Sequence, residues 1–70
     1  MNLNFKKIGK NIKHLRLKKG ISQEALARQA SLTLSNLAKL EGGFSKNPTL
    51  ATLRSVAKVL TNSSIDKLLA

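Results

Sequence analysis

Two short apolar segments, one over by about residue 30 and the next starting at Thr33, leave only Ala30-Ser31-Leu32 to join them. No other feature of the chain limits its fold as much. Leu26 and Ala30 mark the buried side of the first segment, and Leu37 and Leu40 that of the second. Spacings of three and four indicate helices. Two brief helices joined by so short a turn must cross at a large angle. Ser22 and Thr33 are placed to cap them, each hydroxyl accepting a free backbone amide of the following turn. Glu24 falls in the first turn of the earlier helix, where a carboxylate suits the positive end of the dipole.

The same period runs through the rest of the chain. Phe5, Ile8, Ile12 and Leu15 form one face of a helix from about residue 4 to 19, which Gly20 stops in a left-handed conformation. A polar stretch, Gly42 to Pro48, is the longest loop. Thr49 caps a fourth helix whose inner face carries Leu50, Leu53, Val56, Ala57 and Leu60, and Ser63 or Ser64 caps a last short helix with Ile65, Leu68 and Leu69. No segment alternates strictly enough for a strand, so residues 1–70 are expected to form one all-α domain of five helices. With Phe5 and Phe44 the only aromatics, the core must be aliphatic. A domain of 70 residues has room for one core and modest stability unless a partner contributes.

Without cysteine, and with His14 as the single histidine, the chain has neither a disulfide framework nor the ligands of a zinc site. No metal or cofactor is expected. The longest apolar runs, such as Leu68-Leu69-Ala70, are far below the roughly 18 residues of a membrane span, and no apolar stretch follows the basic N-terminus as a secretory signal requires. A cytoplasmic protein is expected. Its formal charge of +10 attracts polyanions, nucleic acid above all, and opposes self-association unless a partner neutralises it. Lys6, Lys7, Lys10, Lys13, Arg16, Lys18 and Lys19 concentrate that charge on the first helix.

The run Ile21-Ser22-Gln23-Glu24-Ala25-Leu26-Ala27, then Leu32-Thr33, Leu37, Leu40-Glu41 and Gly43, resembles the helix-turn-helix of phage Cro proteins and repressor N-terminal domains, the XRE family. The likeness extends to Arg16 and to Asn47-Pro48-Thr49-Leu50, and so covers most of the chain. It implies a compact, five-helix, lambda-repressor-like DNA-binding domain with the helix-turn-helix at helices 2 and 3. Ala27 faces the next helix, where a larger side chain would push the two apart, and Leu32 and Leu37 plug the angle between them. One position departs from the pattern: Ser31 stands where the family usually has a left-handed glycine, at a cost of about 1 kcal/mol or with a slightly different turn.

In that geometry residues 33–40 enter the major groove of double-stranded DNA. Helical spacing turns Leu34, Ser35, Ala38 and Lys39 outward as base-contacting candidates. Leu34 suits a thymine methyl group, Ser35 discriminates weakly, and Lys39 reaches guanine or a phosphate. A reading head so short of bidentate donors predicts a large share of specificity from DNA shape and backbone contacts. The resemblance implies phosphate contacts from Ser22, Gln23, Thr33 and Asn36 beside the groove, from Ser45, Lys46 and Asn47 in the loop, and from Lys10 and Arg16 of the first helix. It also implies an ion pair between Arg16 and Glu41. His14 reads as a plain surface residue, and Phe44 is either packed back on the core or offered to a partner.

The three acids, Glu24, Glu41 and Asp66, each have a local structural role, and no nucleophile–base pair or phosphate-cradling glycine loop is present, so the chain reads as no enzyme. The leading expectation is a sequence-specific, Cro- or repressor-like transcriptional regulator. It binds an inverted-repeat operator as a homodimer that is weak without DNA, through a surface between Val59 and Leu69, with no small-molecule ligand. The alternative is a protein-interaction helix-turn-helix module, antitoxin-like or coactivator-like, in which Leu34, Phe44 and the last helix touch a protein. RNA binding is weaker still, because the chain lacks aromatic pairs to stack unpaired bases.

Overall fold

Four side-chain oxygens start four helices in the same way, each accepting the amide three residues further on. In the computed structural model, which describes residues 4–45 and 48–69, Asn4 Oδ1 accepts from the Lys7 amide at 3.0 Å and opens α1, Phe5–Lys19. Ser22 accepts from Ala25 at 3.0 Å and opens α2, Gln23–Gln29. Thr33 accepts from Asn36 at 3.0 Å and opens α3, Leu34–Gly42, while Thr49 accepts from Thr52 at 3.1 Å and opens α4, Leu50–Leu60. Each contact satisfies one amide that the helix itself leaves unpaired. A short α5, Asp66–Leu69, follows. The described residues are therefore all-helical, as the periodicity predicts.

Two expectations need correction. No serine caps α5: the Ile65 carbonyl accepts from the Leu68 and Leu69 amides, and the chain reaches it through Asn62 and Ser63, both with positive φ. The Thr61 hydroxyl, within 2.9 Å of the Ala57 carbonyl and 2.7 Å of that of Ser64, holds this turn. Leu50 is not on the inner face of α4. It is the first residue of that helix and lies 58% exposed, because the stripe that packs inward starts a turn later at Leu53.

The core is aliphatic. Ile8 and Ile12 of α1, Leu26, Ala27 and Ala30 around α2, Leu37 and Leu40 of α3, Leu53, Val56 and Ala57 of α4, and Leu68 of α5 are buried. Phe5, Leu15, Ile21, Leu32, Val59, Leu60, Ile65 and Leu69 close over them. α1 runs across the others and touches α3, α4 and α5. Its closest approach is at Gly9, where a Cβ would stand 2.3 Å from the Leu40 carbonyl oxygen and 2.8 Å from that of Glu41. Two backbones meet there with no side chain between them.

The α2–α3 turn settles the question posed by Ser31. Its φ is +58°, in the left-handed region that costs an L side chain about 1 kcal/mol or more. The turn is otherwise well pinned, with the Leu32 amide donating to the Ala27 carbonyl at 2.8 Å. Glycine at 31 removes the Cβ strain and gives back a few tenths of a kcal/mol as unfolded-chain freedom. Ser31→Gly is thus expected to raise the melting temperature by about 2–4 °C. A fall in melting temperature would show that the serine side chain itself holds the turn.

Candidate nucleic-acid interface

The crossing of α2 and α3 decides what α3 can offer to a ligand. Ala27 is buried, and Leu37, fully buried, and Leu32, half-buried, fill the angle between the helices. With Leu37, Leu40 and Glu41 turned inward, Leu34, Ser35, Asn36, Ala38 and Lys39 are all exposed on the opposite side. The four base-contacting candidates thus share one solvent-facing surface. Leu34 is 44% exposed, a large apolar side chain at the leading end of that surface.

Two shallow depressions flank α3. One is lined by Ser22, Gln23 and Glu24 from the start of α2, by Leu34, and by Arg16 beneath them. The other lies between α3 and the start of α4, lined by Asn36, Lys39, Ser45, Pro48, Thr49 and Thr52. The starts of α2 and α4 therefore border the exposed side of α3. Their unpaired amides make both edges electropositive, a setting that suits phosphate oxygens. The capping hydroxyls of Ser22 and Thr33 use their oxygens as acceptors, which leaves their protons to donate, whereas Thr49 and Thr52 share one hydroxyl proton between them and keep one to donate. Lys46 and Asn47 lie outside the described residues.

Sequence reasoning missed Thr52 and gave Thr49 only a capping role. Their hydroxyl oxygens lie 3.0 Å apart at the mouth of the second depression. A threonine three residues after a threonine cap was the available signal, since that spacing places both on one face. Glu24 was read as a dipole partner alone. It is also the one carboxylate on the rim of the first depression, and it repels any phosphate path that crosses there.

Beneath the first depression sits a charged cluster. Arg16 Nε donates to Glu41 Oε2 at 2.7 Å and Arg16 Nη2 to Glu41 Oε1 at 3.1 Å, a bidentate pair with side chains 9% and 3% exposed. Arg16 Nη1 donates to the Ile21 carbonyl at 2.9 Å. Three of its five N–H groups are thus spent inside the protein, and the side chain, 9% exposed, reaches the first depression only at its floor. Gln23 takes a different position. Its Nε2 donates to Glu41 Oε1 at 3.1 Å with one hydrogen, leaving the second hydrogen of that amide and its Oε1 toward the rim. The pair therefore ties α1 to α3 and orients a side chain at the start of α2.

The remaining candidates are more scattered. Lys10 and His14 are exposed on α1, and Lys19 reaches across to the Val59 carbonyl at 2.6 Å. Phe44, left open between core and surface, is 76% exposed and not part of the core. Among the described residues there is no group of acids and histidine able to hold a metal ion, and no helix is long and apolar enough to cross a membrane.

Comparison with known proteins bears on this geometry. A family model described as Helix-turn-helix matches residues 12–68. Among solved structures, the crystal structure of the restriction-modification controller protein C.AhdI from Aeromonas hydrophila is similar over 96% of this chain and 98% of that one, with a TM-score of 0.85 and 30% sequence identity. No curated protein matches the sequence.

Proposed function

The chain belongs to the XRE-type helix-turn-helix family of DNA-binding transcriptional regulators, and from that premise we propose that it binds an inverted-repeat operator as a homodimer, with α3 in the major groove. The observation that carries this reading is the exposed face of α3 bordered on both sides by capped helix starts. Leu34, Ser35, Ala38 and Lys39 face base edges. Ser22, Gln23, Thr33, Asn36, Ser45, Lys46 and Asn47 hold the backbone, joined by Thr49 and Thr52 at the α4 edge. Among the α1 lysines, Lys13 stands on the α3 side, whereas Lys10 reaches the same duplex only from the margin. The likeness to a restriction-modification controller protein supports a small one-domain regulator of that kind as readily as a phage Cro protein.

Dimerisation rests on the apolar area left at Val59, Ile65 and Leu69, each only half-buried, since Leu68 is spent on closing the core. Two recognition helices in successive major grooves on one side of the duplex stand about 34 Å apart. The charge of +10 opposes that contact until DNA neutralises it.

Selection of bound sequences from a random duplex pool tests the proposal. Enriched inverted repeats with half-sites about one helical turn apart support it, and a pool that stays random counts against it. On the selected duplex, affinity is expected to fall with salt by about 0.9 log units per log unit for each phosphate contact. Lys39→Ala is expected to change the preferred bases, whereas Lys46→Ala weakens all sequences alike and lowers the salt slope by about 1. Equal losses on every sequence for both variants would make Lys39 a backbone anchor only.

A further inference from the structure

The end of α3 carries an aromatic ring onto the exposed side of that helix. Gly43 stops α3 with φ +79°, its amide donating to the Leu40 carbonyl at 3.2 Å, and the Phe44 amide donates to the Lys39 carbonyl at 2.9 Å. This pair of bonds folds the chain back over the last helical turn. Backbone alone therefore fixes where residue 44 stands. Its ring rests above Gly42, where an added Cβ would lie 2.9 Å from Phe44 Cδ2 and 3.0 Å from Cε2. The ring fills the space of the side chain that Gly42 lacks.

That space lies at the outermost part of α3. At about 100° per residue, Ser35, Lys39 and Gly42 all point within about 40° of the direction opposite the buried Leu37. Leu34 and Asn36 fall to either side of them, each lining one of the two flanking depressions. Ser35, Lys39 and Gly42 thus form the crest between the depressions, the part of α3 that goes deepest into a groove. The ring stands on that crest and is 76% exposed. Ser45, the next residue, lines the depression on the α4 side, and Lys6 lies against Gly43.

We propose that Phe44 is a specificity-determining residue, whose ring packs on the 5-methyl group of a thymine at the end of the half-site nearest the C-terminal end of α3. The inference rests on the reading of α3 as the groove-entering helix. In the major groove thymine alone presents a methyl group, and a phenyl ring is among the side chains that pack against it. Phenylalanine has neither donor nor acceptor, so it gains by burying that methyl group and gains nothing from a phosphate oxygen or the polar edge of guanine. Leu34 has the same chemistry at the leading end of the helix, about 12 Å from Gly42 along the axis. The exposed side of α3 therefore carries an apolar reader at each end, with Ser35, Ala38 and Lys39 between them.

The test remakes the selected duplex with each thymine of one half-site replaced in turn by deoxyuridine, which removes the methyl group alone. Affinities are measured for the native protein, Phe44→Ala and Leu34→Ala. Phe44 is outside the core, so its removal leaves the fold intact. At the thymine read by Phe44 the native protein is expected to lose about fourfold on deoxyuridine, the value of one buried methyl group. Phe44→Ala is expected to bind both forms equally at that position, whereas Leu34→Ala keeps the fourfold difference there. The proposal is overturned if no thymine matters to the native protein, or if every difference survives in Phe44→Ala. It is also overturned if both variants erase the same difference, which would make the ring a support for the seating of α3. Native affinity of Phe44→Ala on every duplex overturns it in favour of a protein partner for the ring. A native protein that prefers no sequence at all is a separate result, which removes the reading of α3 and the proposal with it.

Discussion

Arg16→Ala is expected to lower stability by about 3–5 kcal/mol, the cost of leaving a buried charge without its partner. Glu41, with its side chain 3% exposed, then keeps a carboxylate in the interior with one neutral donor, Gln23, where it had a bidentate guanidinium. The Ile21 carbonyl loses its donor as well. Folded domains of this size hold about 5 kcal/mol or little more, so the variant is expected to be largely unfolded near physiological temperature. Duplex affinity should fall with it, because the start of α2 loses its tie to α1 and α3. Unchanged thermal melting would remove the pair from the account. A paired replacement separates the two effects. Arg16→Met with Glu41→Leu leaves no orphaned charge and should come out near the stability of the native protein or above it. It should still bind duplex more weakly, since Gln23 has lost the oxygen that orients it.

Gly9→Ala is expected to be nearly as damaging, by a route that involves no charge. Alanine in place of glycine in a helix normally adds about 1 kcal/mol. Here the added methyl would stand 2.3 Å from the Leu40 carbonyl oxygen, and neither that oxygen nor the Glu41 carbonyl can rotate aside as a side chain does. The helices must separate. The Leu40 carbonyl also accepts the Gly43 amide at 3.2 Å in the turn that ends α3, so the displacement spreads to that cap. Overpacking of this kind costs about 1–3 kcal/mol and more where backbone is involved. A net loss of about 2–4 kcal/mol in denaturant unfolding is expected, and a stabilised variant would mean that α1 and α3 are farther apart than described.

How much of this was legible in the sequence depends on how local each interaction is. The starts of α2 to α4 could be read because a cap is a contact between residues three apart, and Ser22, Thr33 and Thr49 announce it, whereas α1 was placed by its apolar period and its cap, Asn4, went unread. The left-handed stop at Gly20, observed with φ +78°, is equally local. Ser31 could be placed in a left-handed turn by likeness to the family, and only its φ shows that the turn is not rebuilt around the serine. The exposure of Leu50 was not legible, because a first-turn residue fits the helical period whichever way the helix is rolled. Gly9 was silent for a different reason: its importance lies in the carbonyls of residues more than thirty positions away. The third bond of the Arg16 fork likewise follows from the Ile21 carbonyl lying within reach of Nη1.

The site divides along the same line. That Leu34, Ser35, Ala38 and Lys39 share a face is helix arithmetic, and the structure places them together. That Thr49 and Thr52 face Lys39 across a depression needs the angle between α3 and α4, which no periodicity contains.

Methylation interference on the selected duplex tests the placement of α3 most directly, because one reaction marks both grooves: guanine N7 lies in the major groove and adenine N3 in the minor. If Leu34 to Lys39 enter the major groove, methyl groups on guanine N7 within each half-site should block binding, and those on adenine N3 at the same positions should be tolerated. Interference confined to adenine N3, with methylated guanines bound as well as unmodified ones, would contradict the account.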